Sequence, residues 1–146
     1  MNMPKLFLSI FITLVHMTCF TQTYELRVQI TNIKEIKGKA RIAVFTDAAH
    51  FKKKVHPVDS AVYDIKSNNL VHTFRLDKGI YAVAVYQDEN NDGQLNKRAM
   101  GIPVEGVGFS NSHKKKLKPP EFKESSFRLQ SDTIVQIPLF YDNKKP

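Results

Sequence analysis

The sequence predicts an all-β protein, an antiparallel Greek-key β-sandwich of about seven short strands, on three observations. Apolar and polar residues alternate with a period of two in one segment after another. Turn signals built from Gly, Asn, Asp and Lys separate those segments at short intervals. No stretch carries the sustained 3.6-residue period of a long amphipathic helix.

The elements follow in order. Tyr24, Leu26, Val28 and Ile30 fall on one side of a first strand, with Glu25, Arg27, Gln29 and Thr31 on the other. Lys37-Gly38-Lys39 supplies a turn, and Ala40 to Phe45 gives a second strand that is expected to pair with the first as a hairpin. Asp47 to Lys54 is the place for a short helical turn, with Asp47 as its cap. Ala61 to Ile65 and Leu70 to Leu76 form a second expected pair around Ser67-Asn68-Asn69. Ile80 to Tyr86 interleaves Tyr81, Val83 and Val85 with Ala82 and Ala84, and should be the most buried strand. Ser126 to Gln130 and Thr133 to Phe140 close the domain. Between Asp88 and Pro120 there is little regular pattern, and loops of such length in a compact domain are often functional.

With 146 residues, 42% of them hydrophobic, the chain has enough apolar surface for one domain's core. It holds 22 Lys and Arg against 14 Asp and Glu, a formal +8, which excludes an acidic surface. A single Cys excludes an intramolecular disulfide. The N-terminus reads as a leader rather than as fold. Lys5 is the one charge of a short n-region, and Leu6 to Phe20 is apolar apart from Ser9, Thr13, His16 and Thr18. That run is too short to cross a hydrocarbon core of about 30 Å and matches the h-region of a signal peptide. Cleavage is expected after Thr21, leaving one β-sandwich domain over 22–146, periplasmic or extracellular, with no transmembrane segment. Loss of Lys5 then leaves 21 basic against 14 acidic residues, a formal +7. A lipid anchor at Cys19 is disfavoured, because Thr18 and His16 stand where a lipobox needs a small and an aliphatic residue.

Two local features stand out. In Leu76-Asp77-Lys78-Gly79-Ile80-Tyr81, Gly79 can take a positive φ at no steric cost, so that Tyr81 can pack its ring and return its hydroxyl to the turn as in a tyrosine corner. The pattern resembles the Ig-like sandwiches of the transthyretin-like and carboxypeptidase-regulatory-like group. The second feature is Asp88-Glu89-Asn90-Asn91-Asp92-Gly93-Gln94-Leu95-Asn96. Oxygen-bearing side chains at positions 1, 3, 5 and 9, Gly at 6 and a backbone carbonyl at 7 match the first nine positions of an EF-hand or dockerin calcium loop. Asp88, Asn90, Asp92, Gln94 and Asn96 are therefore the candidate metal ligands, and Ca²⁺ the candidate cofactor. Position 12, where a bidentate carboxylate belongs, is Ala99, and Lys97 and Arg98 add positive charge, so affinity should be weak. Glu105 completes a shell only if the chain folds back. An Asx-rich turn, its side chains bonded to the backbone, explains the same residues equally well.

The runs Tyr81 to Leu95 and Met100 to Asn111, with Pro119-Pro120-Glu121-Phe122 and Ser126-Phe127 after them, resemble the bacterial family called domain of unknown function 2141. The resemblance extends from about Tyr24 to the end and implies an exported β-sandwich; it implies no activity. Within it, Gly106, Gly108, Phe109 and Asn111 are candidates for a ligand-binding loop beside the acidic one. No His/Cys/carboxylate spacing of a zinc site is present among His50, His56, His72 and His113. Gly108-Phe109-Ser110-Asn111-Ser112 lacks the second Gly of a nucleophile elbow. The expectation is a non-enzymatic protein with a structural or ligand-binding role. The alternative is a binding module for an anionic cell-envelope component, polysaccharide or lipid head group, through Lys52-Lys53-Lys54, Lys114-Lys115-Lys116 and Lys144-Lys145. Nucleic acid is not an expected partner.

Overall fold

The computed structural model describes residues 22–112 and 118–142. The expected signal peptide with Cys19, the Lys114–Lys116 run and Lys144-Lys145 lie outside the described residues. Alternation sets the strands: β1 (Thr23–Thr31), β2 (Lys39–Phe45), β3 (Asp59–Asp64), β4 (Leu70–Asp77), β5 (Gly79–Asp88), β6 (Val107–Phe109), β7 (Phe127–Leu129) and β8 (Thr133–Pro138). Two short helices intervene, α1 (Ala48–Lys53) and α2 (Phe122–Ser125). The all-β expectation holds at the level of architecture, with eight strands among the described residues rather than about seven. The additional strand is β6, three residues interrupted by Gly108, too short and too glycine-rich for periodicity to reveal.

The strands form a three-stranded sheet, ordered β4-β1-β8, and a five-stranded sheet, β3-β2-β5-β6 with β7 also on β5. Neither expected hairpin exists. β1 pairs with β4 and β8, while β2 pairs with β3 and β5, so each expected pair is divided between the two sheets. The reason lies in the connections, each of which carries an isoleucine into the core: Ile33 is 4% exposed and Ile65 6%. A chain that must bury a side chain midway crosses between layers instead of turning back beside itself. The two crossings are bonded to each other, Ile33 N–H donating to the Asn68 carbonyl (3.4 Å) and Ile65 N–H to that of Gly38 (3.1 Å). A second departure is that β1 and β8 run parallel, so the sheets are not wholly antiparallel.

Between the sheets lies the main core, with Leu26, Val28 and Ile30 of β1 facing Ile42 and Val44 of β2 and Val83 and Val85 of β5. A smaller cluster covers part of the outer face of the five-stranded sheet, where Phe51 of α1 and Phe122 of α2 lie on Phe45, Ala82 and Ala84. Burying Phe51 completely is worth about 1.5–3 kcal/mol, far more than a six-residue helix gains from its own hydrogen bonds. Asp47 caps α1 as expected, accepting from His50 N–H at 2.9 Å.

The chain passes from β4 to β5 through Lys78 alone. Tyr81 hydroxyl donates to the Asp77 carbonyl at 2.9 Å, the contact expected of a tyrosine corner. Gly79, however, does not take a positive φ. It is required by proximity, since a Cβ there would stand 2.9 Å from the Tyr81 ring.

Candidate functional site

β5 delivers the site. Its alternation puts Tyr81, Val83, Val85 and Gln87 on the inner face and Ala82, Ala84, Tyr86 and Asp88 on the outer one. Asp88 ends the strand wholly buried. One of its carboxylate oxygens, Oδ2, accepts from Arg41 Nε at 2.8 Å and from Gly93 N–H at 3.0 Å. The other accepts from Asp92 N–H at 3.1 Å. The loop thus winds around the carboxylate at its first position, with Gly93 at φ +80° allowing the turn.

Farther along the loop the side chains of Asn90, Asp92 and Asn96 meet one another. Asn90 Oδ1 accepts from Asp92 N–H (3.2 Å) and Asp92 Oδ1 from Gln94 N–H (2.8 Å), two successive Asx turns. Asp92 Oδ2 accepts from the amides of Asn90 and Asn96, both at 2.9 Å. These bonds, the Asn96 amide first, hold the Asp92 carboxyl below the usual range. Gln94 itself is exposed, contributing its backbone to the turn. Tyr86 hydroxyl closes the loop from the strand, donating to the Gly93 carbonyl at 3.0 Å.

The chain does fold back. Arg98 N–H donates to the Ile102 carbonyl and Val104 N–H to that of Asn96, and this ribbon brings Glu105 under the loop. Glu105 is 4% exposed. Its two oxygens accept from Glu89 N–H and Asn96 N–H, each at 2.9 Å, bracing both ends of the loop. Burial pushes its carboxyl above the usual range, and the charges of Asp88 and Asp92 push in the same direction against the two backbone donors. Among the described residues, no three His, Cys, Asp or Glu side chains gather as a ready metal-ligand set.

The four residues of the expected ligand loop lie on and beside β6, in different surroundings. Gly106 and Gly108 are buried by close approach: a Cβ would stand 2.5 Å from the Tyr141 ring at the first and 2.6 Å from Ile137 Cγ2 at the second. Asn111, at φ +56°, donates its amide to the Ser126 carbonyl at 2.8 Å. Phe109 faces outward, its ring 6.0 Å from that of Phe51. In the lysine run at the end of α1, Lys52, Lys53 and Lys54 are all exposed, and Lys54 lays its ammonium 3.8 Å over the Phe51 ring.

Sequence reasoning did not single out Arg41, Tyr86 or Gln87. Arg41 and Tyr86 are register partners on β2 and β5, so a correct strand pairing would have placed both beside Asp88. Gln87 carries a weaker signal, a polar residue at an inward position of the most apolar strand.

Fold and site together define a two-sheet β-sandwich with an Asx-rich acidic loop gathered at one end. The chain belongs to a bacterial family described as "Uncharacterized protein conserved in bacteria (DUF2141)", whose model matches residues 28–136. No curated protein and no solved structure matches it.

Proposed function

We propose that the protein is an exported, non-enzymatic β-sandwich whose Asp88–Asn96 loop takes Ca²⁺ weakly, in a structural or ligand-presenting role. One observation carries this reading: the return of Glu105 to the loop, which supplies near Asn96 the carboxylate that Ala99 cannot. The oxygens of the loop and its return are the carboxylates of Asp88, Asp92 and Glu105, the amide oxygens of Asn90 and Asn96 and the Gln94 carbonyl, hard donors by type that a cation would have to draw together. The same geometry argues for low affinity. A cation has to displace the Arg41 contact and the internal amide bonds, so the dissociation constant belongs in the range of extracellular modules, about 10⁻⁴–10⁻³ M.

Export rests on the Leu6–Phe20 run, and no described helix is long and apolar enough to cross a membrane. The non-enzymatic reading draws on Ser110, whose buried hydroxyl accepts from Val83 N–H (2.9 Å) and donates to the Ser125 carbonyl (2.6 Å). The corner at Tyr81 supports a Greek-key, transthyretin-like connection of the two sheets.

An NMR titration tests the proposal. Millimolar Ca²⁺ should shift the amides from Asp88 to Asn96 together with Glu105, and Glu105→Gln should weaken binding by about tenfold or more. Unmoved resonances at that concentration would remove the calcium claim.

A further inference from the structure

The outer face of the five-stranded sheet is only partly covered. α1 and α2 cover the end around Phe45 and Ala82, with Phe51 reaching the edge of Ala84 and Phe109, and beside them two rows of side chains stand in register: Ser60–Ala43–Ala84–Phe109 and Val62–Arg41–Tyr86–Val107. Ala43 and Ala84 lie side by side between larger neighbours, and the depression above them is a groove of about 250 Å³ whose lining also includes Leu95 and Lys54. That is just below the roughly 300–1,000 Å³ of sites for drug-sized ligands, and suits a smaller, largely apolar molecule.

The groove is charged unevenly. Arg41 is neutralised by Asp88 at 2.8 Å. Lys54 has no acidic partner among the described residues; it donates to the Phe51 carbonyl and lies over the rings of Phe51 (3.8 Å) and Phe109 (5.2 Å). It is placed there by its left-handed backbone (φ 57°, ψ 42°) at the end of α1, which turns the side chain back onto the sheet. Burial pushes its pKa down to about 8, and the charge of Lys97 acts in the same sense. The residue as a whole remains exposed.

We propose that this groove binds a small amphipathic carboxylate, its apolar body over Ala43 and Ala84 and its single negative charge on Lys54. Charge complementarity selects this occupant. An apolar guest alone would leave the ammonium desolvated and uncompensated, whereas a carboxylate replaces lost hydration with a charge-assisted hydrogen bond.

Octanoate is the probe, titrated by calorimetry and NMR into the full mature domain with a chelator present, so that the result is independent of the calcium reading. Saturable one-to-one binding is expected, with shifts at Ala43, Ala84, Phe109 and Lys54. Lys54→Met keeps the apolar stem and should weaken binding by about tenfold, the equivalent of roughly 1.4 kcal/mol. Lys54→Arg should retain it, octanol should bind wild type no better than octanoate binds Lys54→Met, and Ala43→Leu should abolish binding by filling the floor. Absence of saturable binding, equal affinity for octanol, or full affinity in Lys54→Met would each overturn the proposal. So would self-association that covers the groove and excludes octanoate.

Discussion

Gln87 sits on the core face of β5, wholly buried, and its amide is spent on the chain around it. Its NH₂ group donates to the carbonyls of Glu35 (2.8 Å) and Lys37 (3.0 Å), and its oxygen accepts from Tyr141 hydroxyl at 2.6 Å. One side chain thereby ties the β1–β2 crossing to the C-terminal segment, directly before Asp88. Gln87→Leu should cost about 1–3 kcal/mol, the penalty of buried polar groups left unsatisfied, measured by urea unfolding. Lys54 makes a prediction of the opposite kind. Its pKa near 8 lies below the ordinary 10.5, so between those values the unfolded chain holds a proton that the folded chain has released. Stability should therefore rise as pH climbs through that window, and Lys54→Met should remove that part of the slope. Denaturation of both proteins above and below pH 8 measures it. Such side-chain roles were the least legible part of the sequence. Spacing alone groups Asp88, Asn90, Asp92 and Asn96 into one loop, whereas nothing in Lys52-Lys53-Lys54 distinguishes Lys54 from its neighbours; its left-handed backbone does.

At the scale of elements, the β1–β2 crossing fixes where the acidic loop begins. Gly38 adopts φ +70°, and a Cβ on it would stand 2.0 Å from the Asp88 carbonyl oxygen, a backbone atom that cannot swing aside. Gly38→Ala should cost about 1–3 kcal/mol or more from strain and overpacking, visible as a lower urea midpoint. Under the calcium proposal it should also weaken Ca²⁺ binding, because it displaces Asp88, the first of the proposed ligands. Strand existence was readable for seven of the eight strands, since alternation is local and β1, β2, β4 and β5 each carry it over seven or more residues. Pairing was not. A period of two tells which residues share a face, but not which strand lies alongside. Of the residues that turn both connections into crossings, Ile33 sits in polar surroundings with no pattern of its own, and Ile65 reads as the last residue of its strand.

For the whole molecule, a basic chain folds so that its conspicuous acids collect at one end. Lys37 bridges Glu89 at 2.9 Å and Arg41 bridges Asp88, so cations border the loop on the side of β2. If the loop takes Ca²⁺, the folded state alone should hold it, and Ca²⁺ at ten times its dissociation constant should stabilise the domain by about 1.4 kcal/mol. The most direct measurement is the titration of the Glu105 carboxyl carbon by NMR, with and without millimolar Ca²⁺. Without the cation its pKa should lie above the usual glutamate value, as burial and the neighbouring acids dictate, and with Ca²⁺ it should fall below that value. A titration curve that calcium leaves in place would contradict the account.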